Sequence, residues 1–184
     1  VDHTHKQGTP SMGGLIILVS VLGATLLWGA IAEVYVWLIM VATAWMGAFG
    51  FADDYIKIVK RNKSGLPARI KITGQVTLGL LVGSVLYFHP QFAETNTLTY
   101  LPFVAGETLD YDVFRHFVTD IDLGWLIYIP VVIFILTALS NAVNLTDGLD
   151  GLAAGVTGIV AVGLTALTFI AGNEVLSEFL TEMQ

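Results

Sequence analysis

About 20 consecutive, mostly apolar residues are enough to cross the roughly 30 Å hydrocarbon core of a bilayer. This chain of 184 residues carries five stretches of that kind: 13–32, 34–52, 72–89, 125–143 and 152–171. The third is the least hydrophobic and a little short. Inside a bilayer every backbone N–H and C=O must be satisfied within the protein, so runs like these fold as helices. The expected fold is an all-α polytopic membrane domain over 1–184 with five spans. Composition agrees: only 12% of residues are charged, against roughly 25% in ordinary soluble domains, and the mean hydropathy is +0.76. Such a chain is neither disordered, nor a coiled coil, nor a basic nucleic-acid binder. Without cysteine it has no disulfide framework and no thiolate metal site. The first stretch lacks the basic flank and small-residue cleavage site of a signal peptide. Pro130 lies inside the fourth, where neighbouring helices can satisfy the carbonyl it frees.

Charge placement sets the orientation. Six of the eight basic residues, Lys57, Lys60, Arg61, Lys63, Arg69 and Lys71, fall between the second and third stretches. The positive-inside rule puts this 53–71 loop in the cytoplasm. Alternation then gives N-in and C-out. The 90–124 loop is outside, with Glu94, Glu107, Asp110, Asp112, Asp120 and Asp122 against Arg115, and the 144–151 loop is inside. The net charge of −7 is thus mostly extracytoplasmic and says little about partners. In the outer loop, TLTYLPFV at 97–104 has β-rich composition and Gly106 can turn the chain, so a short β-hairpin is expected there. Trp28, Tyr35, Trp37, Trp125 and Tyr128 stand near span ends and read as interfacial anchors.

Three unusual segments then collect on the cytoplasmic face: HTHKQGTPSMGG at 3–14, DDYIK at 53–57 and NAVNLTDGLDG at 141–151. Asp53 and Asp54 follow nineteen uncharged residues. Adjacent carboxylates repel, and a divalent cation would relieve them. Oxygen ligands without Cys or clustered His select a hard ion such as Mg²⁺. An acidic stop with an i,i+4 ion pair from Asp53 to Lys57 explains the same residues equally well. Asn141, Asn144, Asp147 and Asp150 recur every third residue, and Gly148 and Gly151 between and after them permit close backbone approach. They make a polar cradle for a metal, sugar or nucleotide. The competing reading is a helix–loop–helix cap, with Asp150 as N-cap of the fifth helix and Asn144 near the end of the fourth. In the first segment, Lys6, Gly8, Thr9, Pro10 and Ser11 precede a helix whose free N–H groups suit a phosphate, although Ser11 serves as well as a plain N-cap. His3, His5, His89 and His116 carry no clear ligand pattern. Carboxylates, lysines and a polar cradle at a membrane–cytosol boundary fit phosphoryl transfer between a nucleotide-activated donor and a lipid phosphate.

In this order HTHKQGTPSMGG, FADDYIK and NAVNLTDGLDGLA resemble the phospho-N-acetylmuramoyl-pentapeptide transferase family, as does GLPARIKITGQ through Gly65, Leu66, Arg69, Lys71 and Gln75. The match runs along essentially the whole chain. The DD and NxxDGxDG patterns belong to the wider polyprenyl-phosphate sugar-1-phosphate transferases, whereas KxGTPxMGG points to this branch. The family usually has Thr where this chain has Ser11, and the hydroxyl is kept.

The resemblance implies a bacterial cytoplasmic-membrane enzyme of peptidoglycan synthesis with a cytoplasm-facing site. Phospho-MurNAc-pentapeptide would pass from UDP-MurNAc-pentapeptide to undecaprenyl phosphate, giving lipid I and UMP with Mg²⁺. Carried over by position, Asp53 would be the base toward the lipid phosphate and Asp54 its support at the metal or substrate. Asp147 and Asp150 would stand near nucleotide and metal, with Asp54 and Asp147 as metal ligands. Lys6, Thr9, Ser11, Lys57, Arg69 and Asn144 would bind substrate, and a homodimer is a family expectation. Family members are about twice as long, and their GDxGS segment and His-rich loop have no counterpart here. The chain therefore reads as the centre of a longer enzyme, from its third to its seventh span, inactive by itself. A sibling GlcNAc-1-phosphate transferase is the nearest alternative. A transporter is the alternative of another class, disfavoured because the acids lie at helix ends on one side and not at the bilayer midplane.

Overall fold

A computed structural model describes residues 13–62, 64–93, 98–100, 108–110, 123–146 and 151–173. Its elements are α1 (Gly14–Trp28), α2 (Val34–Ile58), α3 (Ala68–Phe88), a 3₁₀ turn (Pro90–Phe92), β1 (Leu98–Tyr100), β2 (Thr108–Asp110), α4 (Trp125–Thr146) and α5 (Leu152–Ala171). The last four α-helices are long and apolar enough to cross a membrane. The first helix is shorter than the 13–32 stretch expected to form it. It is a 15-residue helix, about 22 Å at 1.5 Å per residue, because the chain leaves helical geometry at Gly29 (ψ 157°) and turns through Ile31 and Glu33.

The next two helices overrun their expected limits toward each other. α2 has 25 residues, about 37 Å, and carries Asp53, Asp54 and Lys57 on its last turns instead of in a loop. α3 begins at Ala68, so Arg69 and Lys71 are helical as well. The connection left between them is residues 59–67. α4 runs unbroken past Pro130 and keeps Asn141 and Asn144 in its last two turns.

The chain divides into two compact units, residues 1–137 and 138–184. In the first, α1 packs on α2 where Leu18 covers Gly47. α2 meets α3 where the Phe49 ring lies on Gly74 and the Trp45 indole N–H donates to the Gly74 carbonyl at 3.0 Å. α3 and the first half of α4 run antiparallel. Gly79 faces Ile133, Gly83 faces Ile129, and the Tyr87 and Tyr128 rings lie 5.5 Å apart. At the opposite end of α2 from its acids, Tyr35 packs on Phe92 at 4.5 Å and Gln91 donates to Glu33 at 2.6 Å. Trp28 is 82% exposed, as an interfacial ring should be. β1 and β2 pair antiparallel, Leu98 with Asp110 and Tyr100 with Thr108.

The second unit contains the last turns of α4 and all of α5. No residue of α5 is buried, and its apolar residues cover the whole circumference. Thr165 and Thr168 return their hydroxyls to the carbonyls of Ala161 and Leu164, which leaves them no unmet donor in an apolar setting. Gly151, with φ 83°, occupies the cap position before α5. Asp150, the N-cap of the competing reading, lies outside the described residues. Gly13 occupies that position before α1, and Ser11 lies outside the described residues.

Lipid is as apolar as leucine, so helices in a bilayer associate through close packing at small residues. A Cβ on Gly79 would sit 2.8 Å from the Ile133 Cα, a backbone atom that cannot swing aside. At Gly83 the nearest atoms would be 3.4 Å away, close to ordinary contact. Gly79→Ala should therefore destabilise the α3–α4 pair by about 1–3 kcal/mol and Gly83→Ala by much less, as read from thermal unfolding of the two variants in detergent.

Candidate functional site

The site is built where α2 ends. The helix stops with a 6→1 bond from the Asn62 N–H to the Ile56 carbonyl at 3.3 Å. Arg61 stands at φ 52°, in the left-handed position that glycine usually takes in such a stop. Asn62 then organises the turn: its Oδ1 accepts from the Ser64 N–H at 3.2 Å and the Ser64 hydroxyl at 2.6 Å. Its carbonyl accepts from the Gly65 N–H at 3.1 Å. Gly65 is buried and left-handed, φ 63°. Pro67, fixed near φ −56°, launches α3 with no donor lost.

This connection folds back onto Asp53. The Asp53 Oδ1 accepts from the Leu66 N–H at 2.7 Å and pairs with the Lys71 Nζ at 3.0 Å, while Oδ2 pairs with the Lys57 Nζ at 2.5 Å. The Asp53 side chain is 12% exposed, and those of Lys57 and Lys71 are 42% and 38% exposed. The carboxylate thus joins α2, the connection and α3. A Cβ on Gly65 would collide with the Asp53 Oδ1 and come within 2.7 Å of the Lys57 Cε.

Asp54 looks elsewhere. Successive helical residues are rotated by about 100°, and Asp54 is exposed at a groove of about 270 Å³ between α1 and α2, next to Gly50 and Phe51. Among the described residues it makes no hydrogen bond or ion pair. The two acids are therefore not one chelating pair. Lysines relieve Asp53, and Asp54 stays open.

The remaining expected residues separate by place. Arg69 is exposed on the first turn of α3, at a second groove walled by Trp45 and Phe49. Asn144 is exposed in the last turn of α4, within the second unit. Lys6, Thr9, Ser11, Asp147 and Asp150 lie outside the described residues. Motif reading gave no role to Lys71, Asn62 or Gly65. Lys71 had a signal, because it lies in the GLPARIK segment that carries part of the resemblance. Its partner is eighteen positions away, and no local spacing joins them.

Among the described residues no group of three or more His, Cys, Asp and Glu could hold a metal. What they do supply is one open hard-oxygen donor, Asp54. Mg²⁺ typically takes one or two carboxylates and fills its shell with water and phosphate oxygens, and an open carboxylate is a donor of that kind.

The order of these elements and the match to known sequences give the class. Residues 36–183 match the Glycosyl transferase family 4 profile, and the chain belongs to that family. Residues 6–18 match signature 1 of phospho-N-acetylmuramoyl-pentapeptide-transferase. The chain is similar to the phospho-N-acetylmuramoyl-pentapeptide-transferase of Salinibacter ruber, at 60% identity over 183 residues that make up 100% of this chain and 48% of that protein. It is 47% identical to the enzyme of that name in Chlorobium chlorochromatii and 48% identical to that of Pelodictyon phaeoclathratiforme. Each of those alignments covers 97% of this chain and 45% of the relative. The chain spans about half the length of these curated relatives. Its helices and its family make it a multi-pass membrane protein of bacterial type.

Gly65 is the position on which the cradle geometry rests. Gly65→Ala should cost about 1–2 kcal/mol for the left-handed backbone alone, with the clash at Asp53 added. Gly50→Ala, which meets open space in helical backbone, should be neutral or slightly stabilising. Thermal unfolding of the two proteins in the same detergent separates them.

Proposed function

We propose that this chain is part of a phosphoglycosyl transferase that makes lipid I. The enzyme would move phospho-MurNAc-pentapeptide from UDP-MurNAc-pentapeptide to undecaprenyl phosphate at the cytoplasmic face of the bacterial inner membrane. The match of residues 6–18 to signature 1 carries this reading, because it selects one branch within the broader family. The 60% identity to the Salinibacter ruber relative over the whole chain supports it. So does the gathering of basic residues at the α2–α3 connection, which orients the chain N-in and C-out by the positive-inside rule.

In the reaction, an oxygen of the lipid phosphate forms a bond to the phosphorus that carries the sugar. The bond from that phosphorus to the bridging oxygen breaks, and UMP leaves with the electron pair. Catalysis of this kind is mainly positioning and charge stabilisation. Lys57 and Arg69 offer positive charge to the phosphates at the ends of α2 and α3. Lys6, Thr9 and Ser11 add donors ahead of α1. Asn144 offers an amide on α4, with Asp147 and Asp150 in the connection that follows. Asp54 and Asp147 would hold Mg²⁺, which supplies neutralisation of charge on phosphate oxygens when bound.

The test is a chimera in which residues 1–184 replace the matching segment of the Salinibacter ruber relative, assayed for UMP release with undecaprenyl phosphate. The expected result is turnover with UDP-MurNAc-pentapeptide, loss of it on chelation, and recovery with added Mg²⁺. Asp54→Asn should lower kcat by about 100- to 1,000-fold. Preference for UDP-GlcNAc as donor would assign the chain to the sibling GlcNAc-1-phosphate transferases instead. Turnover that survives chelation would remove the metal from the reading.

A further inference from the structure

The face that α2 turns to α3 carries Trp45, Phe49 and Asp53, each one turn from the next. We propose that Trp45 is a positioning residue: its indole N–H, bonded to the Gly74 carbonyl, sets the height of α3 against α2 and so keeps Lys71 on Asp53. This rests on the function proposed above only where turnover is measured, and the contact itself is tested on the chain alone.

Each side chain of this stripe meets α3 in its own way. Asp53 pairs with Lys71 at 3.0 Å. The Phe49 ring lies on Gly74, and the Trp45 Nε1 donates to the Gly74 carbonyl at 3.0 Å. Positions four apart share a helix face and lie about 6 Å apart along the axis. The stripe therefore runs about 12 Å from the charged end of α2 into the apolar part of the span. The three contacts differ in what they can fix. Ring packing has no preferred direction. A lysine hangs on a flexible four-carbon stem and follows α3 without steering it. A hydrogen bond is directional, and its acceptor here belongs to the α3 backbone, so it fixes the helix itself. A carbonyl has two lone pairs, and Gly74 can serve the indole while it keeps its bond within α3. Gly74 also makes the approach possible, because a Cβ there would overlap the Phe49 ring. Lys71 stands three residues before Gly74, on the same side of α3. The height set at Gly74 thus passes through one rigid turn to the ammonium. Lys57 shares a helix with Asp53 and stays in reach whatever α3 does. Loss of the indole bond should therefore remove one lysine from Asp53 and leave the other.

That difference is measurable in lipid nanodiscs. The chain is isotope-labelled at aspartate carboxyl carbons and lysine Nζ, and solid-state NMR reads the carbon–nitrogen dipolar coupling at Asp53. The unmodified chain should show two lysines, and Lys71→Met only the one from α2. Trp45→Phe, which keeps a ring and drops the N–H, should match Lys71→Met. Phe49→Leu, which keeps the indole N–H, should match the unmodified chain. So should Gly79→Ala, which loosens α3 from α4 instead. In the chimera, Trp45→Phe should lower kcat by about tenfold, with KM for either substrate within about threefold. In a Lys71→Met background the same change should cost less than about twofold, because the contact it protects is already gone.

A second lysine retained on Asp53 in Trp45→Phe overturns the proposal, as does its absence from the unmodified chain. Its loss in Phe49→Leu or Gly79→Ala does the same, since bulk or general loosening would then be the cause. An undiminished effect of Trp45→Phe in the Lys71→Met background also overturns it. If Trp45→Phe fails to reach native helicity, the benzothienyl analogue of tryptophan at position 45, alike in shape and without the N–H, decides the outcome. If the unmodified chimera lacks turnover with any nucleotide donor, the proposed function fails, and the coupling measured on the chain still decides whether Trp45 holds Lys71 in place.

Discussion

One buried carboxylate orders the end of α2 and its connection to α3. Asp53 accepts a backbone N–H from the connection and ion pairs from two helices. Without it, the Leu66 N–H would lack its acceptor and Lys57 and Lys71 would lose the carboxylate they share. A carboxylate at such a helix end is costly if left bare, because charge near an apolar core is poorly solvated. Here the cost is offset locally, by partners that the fold supplies and not by water. The connection between α2 and α3 takes its shape from this bond. Gly65 is left-handed so that the chain can pass over the carboxylate, and Pro67 restarts the helix directly after it.

The same physics explains why so little of the protein is buried. Only six hydrophobic residues of the described structure form a core, Leu38, Met40, Leu78, Tyr87, Phe92 and Ile129. A soluble chain of this size could not fold on so few. In lipid the apolar faces need no cover, and helix pairing depends on shape. Leu18 fills the notch at Gly47, Phe49 fills that at Gly74, and Ile133 closes on Gly79. Each of these helix pairs in the first unit thus includes a glycine on one helix and a bulky side chain on its neighbour. Backbone bonds within each helix do the rest.

The sequence made the number and order of helices legible, because long apolar runs leave no other structure open. Their ends were less legible. Gly29 shortens α1 although the apolar run continues past it. Asp53, Asp54 and Lys57 look like the start of a loop, yet they remain helical because Asp53 finds buried partners and helical bonds run through them. Spacing did identify the i,i+4 pair of Asp53 and Lys57, which the structure contains. It gave no sign of Lys71, since that contact depends on how a nine-residue connection folds back. The Asn62 turn and the left-handed Arg61 belong to the same class. Their roles follow from tertiary geometry, and only Gly65 left a trace in composition.

The division of labour between the two acids follows from helix geometry. Adjacent residues on a helix cannot face one partner together, since about 100° separates them. One aspartate can therefore be committed to structure while its neighbour stays exposed, although both act on the charge of Lys57. Asp53 is turned toward the basic connection and is consumed by it. Asp54 is turned toward the groove beside α1, where glycine and aliphatic walls leave its oxygens as the principal polar feature. A DD pair at the end of a span is thus not a doubled ligand. It places an ion-paired carboxylate and an open one within one turn of each other at a single helix end.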